Sequence, residues 1–198
     1  MGVFMERTLV LVKPDGVARG LIGEVIKRFE LSGLKIVGMK MVRATEDLAS
    51  RHYPSSDEWF RKAGQRSIET FKAQSIDINK RFGTTDPISI GRIIKSWLVK
   101  FITSGEVVAM VLEGNRAIDN VRRLIGETDP LKALPGTIRG DFSIDNVILG
   151  NSLSRPMVNV VHASGDKKEA ENEIGTWFEK SELYDYNTGA DDVFYKEW

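Results

Sequence analysis

Arg7-Thr8-Leu9-Val10-Leu11-Val12, followed at once by Lys13-Pro14-Asp15-Gly16-Val17-Ala18-Arg19-Gly20, decides how the chain begins to fold. The first six residues are apolar or β-branched with no helical period, which suits a strand buried in a sheet. The next eight carry turn chemistry, with two cations and two glycines. A polar loop over 13–20 is therefore expected at a strand end. It lacks the Lys-Ser/Thr pair of a Walker loop, so by itself it reads as a turn.

Working outward, Leu21, Ile22, Val25, Ile26 and Phe29 recur at helical spacing up to Ser32, and Gly33 stands where a left-handed C-cap would fall. Residues 34–42 alternate as a second strand. Thr45 before Glu46 and Asp47 predicts a short capped helix reaching His52 and Tyr53. Residues 54–86 are polar and weakly periodic, with a helical turn or two over Ser67–Ala73, and read as an insertion on the surface. Asp86-Pro87 opens a helix carrying the apolar stripe Ile90, Ile93, Ile94, Trp97, Leu98, Phe101 and ending near Gly105. A third strand over 107–112, a helix over 117–125, a fourth strand over 159–163 and a helix from about Asp166 to Phe178 complete the pattern. This alternation predicts one α/β (α+β) domain over 1–198, a ferredoxin-like βαββαβ sandwich whose antiparallel sheet is covered by helices on one face.

Composition narrows the function classes. Lys plus Arg equal Asp plus Glu at 28 each, so no global basic field favours a nucleic acid. There is no cysteine, which removes disulfides, thiolate metal sites and sulfur redox chemistry, and fits a reducing cytoplasm. The longest apolar runs are too short to cross a bilayer, and no leader opens the chain, so a cytoplasmic protein without membrane partners is expected. Gly2 has the place of a myristoylated glycine, but Glu6 stands where serine or threonine is wanted.

Only two histidines occur, and His162 sits in Asn159-Val160-Val161-His162-Ala163-Ser164, at the end of an apolar strand. Lys13, Arg122, Thr128, Arg139 and Asn159 also fall at strand ends or in connecting segments, where sites are assembled. Leu134-Pro135-Gly136-Thr137-Ile138-Arg139-Gly140-Asp141-Phe142 sets an arginine between glycines, where backbone can approach an anion.

Together KPDGVARG at 13–20, GETDP at 126–130, PGTIRGDF at 135–142 and NVVHAS at 159–164 resemble the nucleoside diphosphate kinase family, in its order, from Glu6 through Phe178. Residues 54–93 and 145–156 stand outside the resemblance as two insertions. The resemblance implies transfer of the γ-phosphate of a nucleoside triphosphate to a nucleoside diphosphate, by a ping-pong mechanism through a phosphohistidine on His162. It places Lys13, Tyr53, Arg122, Thr128, Arg139 and Asn159 around the nucleotide, and Glu173 on the far nitrogen of the histidine. Glu169 and Glu173 share a helix face, which allows a carboxylate to turn back toward His162. With no carboxylate cluster of octahedral spacing, Mg²⁺ is expected to arrive on the nucleotide phosphates and no residue is assigned as metal ligand.

The resemblance also implies a homo-oligomer, a hexamer with a tetramer as the alternative, and residues 184–195 resemble the tail that meets a neighbour in hexameric members. Ala163 after the histidine, and Gly165 before Asp166, depart from the commonest His-Gly-Ser-Asp form and leave the helix-capping role of Asp166 open. Trp59, Phe60, Ile94 and Trp97 are candidates to clamp the base. Stacking alone would tolerate any base. The alternatives are a catalytically silent member serving assembly or regulation, and a ferredoxin-like RNA-binding module, against which the strand over 107–112 lacks basic residues and aromatics.

Overall fold

The computed structural model describes residues 5–197; the Gly2 signal lies outside them. Strand β1 (Met5–Val12) leads through α1 (Pro14–Ala18) and α2 (Ile22–Leu31) to β2 (Lys35–Arg43). Helices α3 (Glu46–His52), α4 (Asp57–Ala73), α5 (Ile78–Phe82) and α6 (Pro87–Ile102) precede β3 (Glu106–Asn115). Then come α7 (Ala117–Ile125), α8 (Ile138–Phe142), α9 (Val147–Ser152), β4 (Val161–Ala163), α10 (Lys167–Trp177) and α11 (Gly189–Phe194). The four strands form one antiparallel sheet in the order β2-β3-β1-β4, the ferredoxin-like order expected from the sequence.

The covering differs from expectation, because helices pack on both faces of the sheet. Val10, Val12, Val108, Met110 and Leu112 meet Val25 and Phe29 of α2 and Val121 and Ile125 of α7. Leu9, Leu11, Val107, Ala109 and Val111 meet Ala49, Ile102 and Trp177 from the other side. A strand buried on both faces reads as a continuous apolar run, which is how 7–12 and 107–112 read. Full burial of each such valine or leucine contributes roughly 1.5–3 kcal/mol.

Three local readings change. The segment after β1 is a helix, because Pro14 occupies the first helical position with Asp15 in the first turn, a start that resembles a turn in sequence. The second strand carries a bulge between Ile36 and Gly38, which interrupts its alternation. The fourth strand starts only at Val161, because Val160 adopts a φ of 67° and Val161 N–H closes a three-residue turn on the Asn159 carbonyl at 2.7 Å.

The largest change is α4, a helix of 17 residues where one or two turns were expected. Ser56 caps it by accepting from Trp59 N, and its buried stripe is Phe60, Gly64, Ser67 and Phe71. The spacing is helical, but glycine and serine at two of the four positions hide it from a hydrophobicity reading. Gly64 is needed for close approach to α6: a Cβ on it would sit 2.0 Å from the Pro87 carbonyl oxygen, and one on Gly91 would sit 2.0 Å from that of Phe60. The 145–156 segment packs against this helix through α9, where Asn151 Nδ2 donates to Ser67 Oγ at 2.9 Å. Arg81, just inside α5, donates to the Asn151 carbonyl at 2.5 Å and to Ser154 Oγ. The two segments therefore support one another.

The tail after α10 lies along its own chain: Tyr184 N–H donates to the Val37 carbonyl at 2.7 Å, and Tyr186 Oη donates to that of Ile36 at 2.8 Å. Its end is fixed by Tyr195, whose hydroxyl accepts from Asn115 N at 2.9 Å.

Gly91→Ala is expected to force α4 and α6 apart and destabilise the fold by about 1–3 kcal/mol, seen in calorimetry as a melting point lower by roughly 2–4 °C per kcal/mol. An unchanged melting point would show that the contact is not tight.

Candidate functional site

The site lies where β1, β4 and the start of α10 meet. Lys13 N–H donates to the Val160 carbonyl at 2.8 Å, and Asp15 Oδ2 accepts from Val160 N at 2.9 Å. These bonds hold Val160 in its left-handed conformation, a costly one for a β-branched residue, and aim the residues on either side of it. Asn159 is directed at Lys13, with its Oδ1 accepting from the ammonium and its Nδ2 donating to the Thr128 carbonyl at 2.6 Å. His162, two residues further, is directed at Glu173 on α10.

His162 Nε2 lies 2.9 and 3.0 Å from the two oxygens of Glu173, so the proton sits on Nε2 and Nδ1 keeps its lone pair. Ser164 Oγ donates to the same carboxylate at 2.5 Å. Burial pushes the Glu173 carboxyl up, but the interaction with His162 and the hydrogen bond from Ser164 outweigh it and hold the group below its ordinary value. Asp166 caps α10 by accepting from Glu169 N at 2.9 Å, which settles its role despite the altered motif.

Behind this pair lies His52, fully enclosed, with its ring edge-on to His162 at 4.5 Å. Trp177 Nε1, which can only donate, bonds His52 Nδ1 at 3.3 Å, so the proton of His52 is on Nε2. That nitrogen is buried without a partner among the described residues. Burial first, and His162 second, lower the pKa of His52 to about 3, so it stays neutral. Tyr53 beside it is buried, and burial together with the Glu173 charge pushes its phenol up.

Lys13 is buried, and desolvation lowers its pKa to about 8, with Asp15 opposing and Arg139 adding to the fall. Arg139, also buried, donates to the Gly126 and Val161 carbonyls, each at 2.9 Å. Burial and then Arg122 bring it to about 10, against Glu127. A buried cation held below its ordinary pKa gains most from an anion brought beside it.

Two adjoining chambers open here, an outer one of about 600 Å³ and an inner one of about 250 Å³, and His162, Thr128 and Arg139 line both. Arg122 lies in the outer chamber; Lys13, Tyr53 and Asn159 lie in the inner. Glu173 reaches the site only through His162. Of the four candidates for the base, Trp59 lines both chambers and Ile94 the inner one. Phe60 and Trp97 line neither: Phe60 is buried where Gly91 meets its backbone, and Trp97 stacks with Phe82 and Arg81.

The sequence reading missed Lys62, Arg66 and Ser67 of α4, Asn151 of α9 and Leu98 of α6, all of which line the chambers. The helical spacing of 57–73, had it been followed through glycine and serine, would have revealed the first three.

An imidazole with a free lone pair, set among cations, suits phosphoryl transfer. The family model described as nucleoside diphosphate kinase matches residues 6–69 and 92–183. The chain belongs to the nucleoside diphosphate kinase family. It is accordingly an enzyme that transfers phosphoryl groups between nucleotides. It is 52% identical over 179 residues to a nucleoside diphosphate kinase of Pyrobaculum aerophilum, covering 90% of this chain and 98% of the relative. To human nucleoside diphosphate kinase A it is 39% identical over 191 residues, covering 96% and 97%. The crystal structure of the Pyrobaculum aerophilum NDP kinase superposes with a TM-score of 0.89 at 50% identity, over 91% of this chain and all of that one. A transition-state mimic of the Borrelia burgdorferi enzyme with bound vanadate and ADP superposes with a TM-score of 0.78 at 34% identity, over 98% and 99%.

The buried neutral His52 sets a pH dependence of stability. Its folded pKa lies below the ordinary 6.5, so the unfolded chain takes up the proton first as pH falls. Stability is expected to drop by about 2 kcal/mol between pH 7 and 5 on this account, and urea denaturation of His52→Gln should show a shallower fall.

Proposed function

We propose that Nδ1 of His162 carries the phosphoryl group between two nucleotides that use the site in turn. The observation that carries this is the bond of Nε2 to the Glu173 carboxylate, which fixes the tautomer and leaves Nδ1 its lone pair on a residue that lines both chambers. Nδ1 attacks the γ-phosphorus of a nucleoside triphosphate, the bond to the bridging oxygen breaks, and the diphosphate leaves. The phosphohistidine then passes the group to the terminal oxygen of a second diphosphate. Glu173 supports the positive charge that grows on the ring, and Ser164 holds Glu173.

Negative charge spreading over the transferred oxygens is met by Lys13, Arg122 and Arg139, with Tyr53, Thr128 and Asn159 positioning the nucleotide. Ile94 and Leu98 offer an apolar wall for the base. Mg²⁺ would come on the phosphate oxygens and neutralise part of their charge. The group formed by His52, His162 and Glu173 does not suit it, since two donors are ring nitrogens and His52 Nδ1 is already bonded to Trp177. Among the described residues no helix is long and apolar enough to cross a membrane, and a cysteine-free chain fits a cytoplasmic setting. Exposed Tyr184, Val193 and Phe194 on the tail support a homo-oligomer, hexameric or tetrameric, which light scattering would size.

With γ-labelled ATP and Mg²⁺, the protein should take up an acid-labile, base-stable label that GDP discharges as GTP, while His162→Ala takes up none; double-reciprocal plots should be parallel. A folded wild type without label would leave a silent member of the family. Lys13 is charged below about pH 8 and loses its charge above it. kcat/KM should therefore fall roughly tenfold per pH unit above that point, with the fall displaced upward in Lys13→Arg. A profile flat to pH 9.5 would remove Lys13 from phosphate binding.

A further inference from the structure

Helix α4 has two working faces. Phe60 and Gly64 pack against α6, Ser67 bonds Asn151 of α9 and Phe71 meets Phe82 of α5, whereas Trp59, Lys62, Ala63 and Arg66, at helical spacing, face the outer chamber. Arg66 lines both chambers, and so stands at their junction with His162, Thr128 and Arg139. Among the described residues neither Lys62, Arg66 nor Arg122 has a carboxylate within salt-bridge reach or a side-chain hydrogen bond.

The outer chamber thus gathers five basic residues, Lys62, Arg66, Arg122, Arg123 and Arg139, against two acidic ones, Glu127 and Glu169. Glu169 is already engaged, accepting from Gly165 N at 2.7 Å. Like charges turned toward one cavity repel, and an anion entering it relieves that repulsion. Two of the five come from α4, a helix held in place by its glycine contact with α6 and by Asn151 of α9. The cations are therefore carried on a supported element rather than a free loop.

We propose that Arg66 is a further phosphate-binding residue of the transfer reaction, contacting the polyphosphate of the nucleotide from the side opposite Lys13, with Lys62 adding charge beside it. The assignment rests on the reading of His162 as the phosphoryl carrier. It makes α4 the wall that closes over the reacting phosphates, so that the bound chain is met by cations from the start of α1, from α4, α7 and α8 at once. Guanidinium suits the role because its planar fork donates to two oxygens together.

The test compares wild type with Arg66→Ala, Arg66→Lys and Lys62→Ala, using Arg61→Ala as a control on the same helix that lines neither chamber. Arg66→Ala is expected to lower kcat/KM roughly ten- to hundredfold, the range for a charge-assisted bond. The slope of its logarithm against the logarithm of salt concentration should flatten. Arg66→Lys should regain part of the rate and all of the salt slope, and Lys62→Ala should lose less than Arg66→Ala. Arg61→Ala should stay within about twofold of wild type. Arg66→Ala with the rate and salt slope of Arg61→Ala would overturn the assignment, as would a loss that Arg66→Lys does not recover. Labelling of His162 by γ-labelled ATP in the same wild-type preparation separates this failure from that of the phosphohistidine itself.

Discussion

Lys13 and Asp15 hold the backbone of Val160 from both sides, and the geometry of the site descends from that hold. The residue sits at a φ of 67°, which a β-branched side chain does not choose in isolation. Two backbone hydrogen bonds from the segment after β1 keep it there, and the tight turn directs Asn159 and His162 to different tasks. Asn159 bonds the Lys13 ammonium and the Thr128 carbonyl, while His162 is delivered to its carboxylate. The same segment that supplies the Lys13 cation thus also sets the angle of His162.

Around this point the protein keeps charge under tension. Lys13 and Arg139 are stripped of water and held below their ordinary pKa values, and Glu173 is buried yet ionised because His162 and Ser164 satisfy it. His52, sealed behind them, stays neutral and gives the dyad a dry back wall. Such an arrangement is costly when empty and favourable when a polyphosphate fills it, which is the direction in which a transfer site should lean.

Much of this was legible in the sequence, for identifiable reasons. Strands buried on both faces leave continuous apolar runs, and the run at 7–12 was read correctly. His162, Lys13, Thr128, Arg139 and Asn159 stand in short motifs, Arg122 in the helix before GETDP, and the fold brings all of them to the two chambers. What stayed hidden depends on shape. Helix α4 carries glycine and serine where a hydrophobicity pattern needs bulk, the glycine because α6 comes too close for anything larger and the serine because Asn151 of α9 bonds it. Pro14 and Asp15 serve a helix start as readily as a turn. Helices cover both faces of the sheet, and the alternation within each central strand records this only if both sets of residues are counted as inward.

The bond between Asn151 and Ser67 has a consequence for how such a chain can change over generations. A buried carboxamide on α9 and a buried hydroxyl on α4 satisfy one another, across 84 positions of sequence. A descendant that lost either segment alone would leave the other with a buried polar group deprived of its partner. The two stretches therefore form one heritable unit: their gain and loss should be correlated in descent, and a shortened chain should lack both.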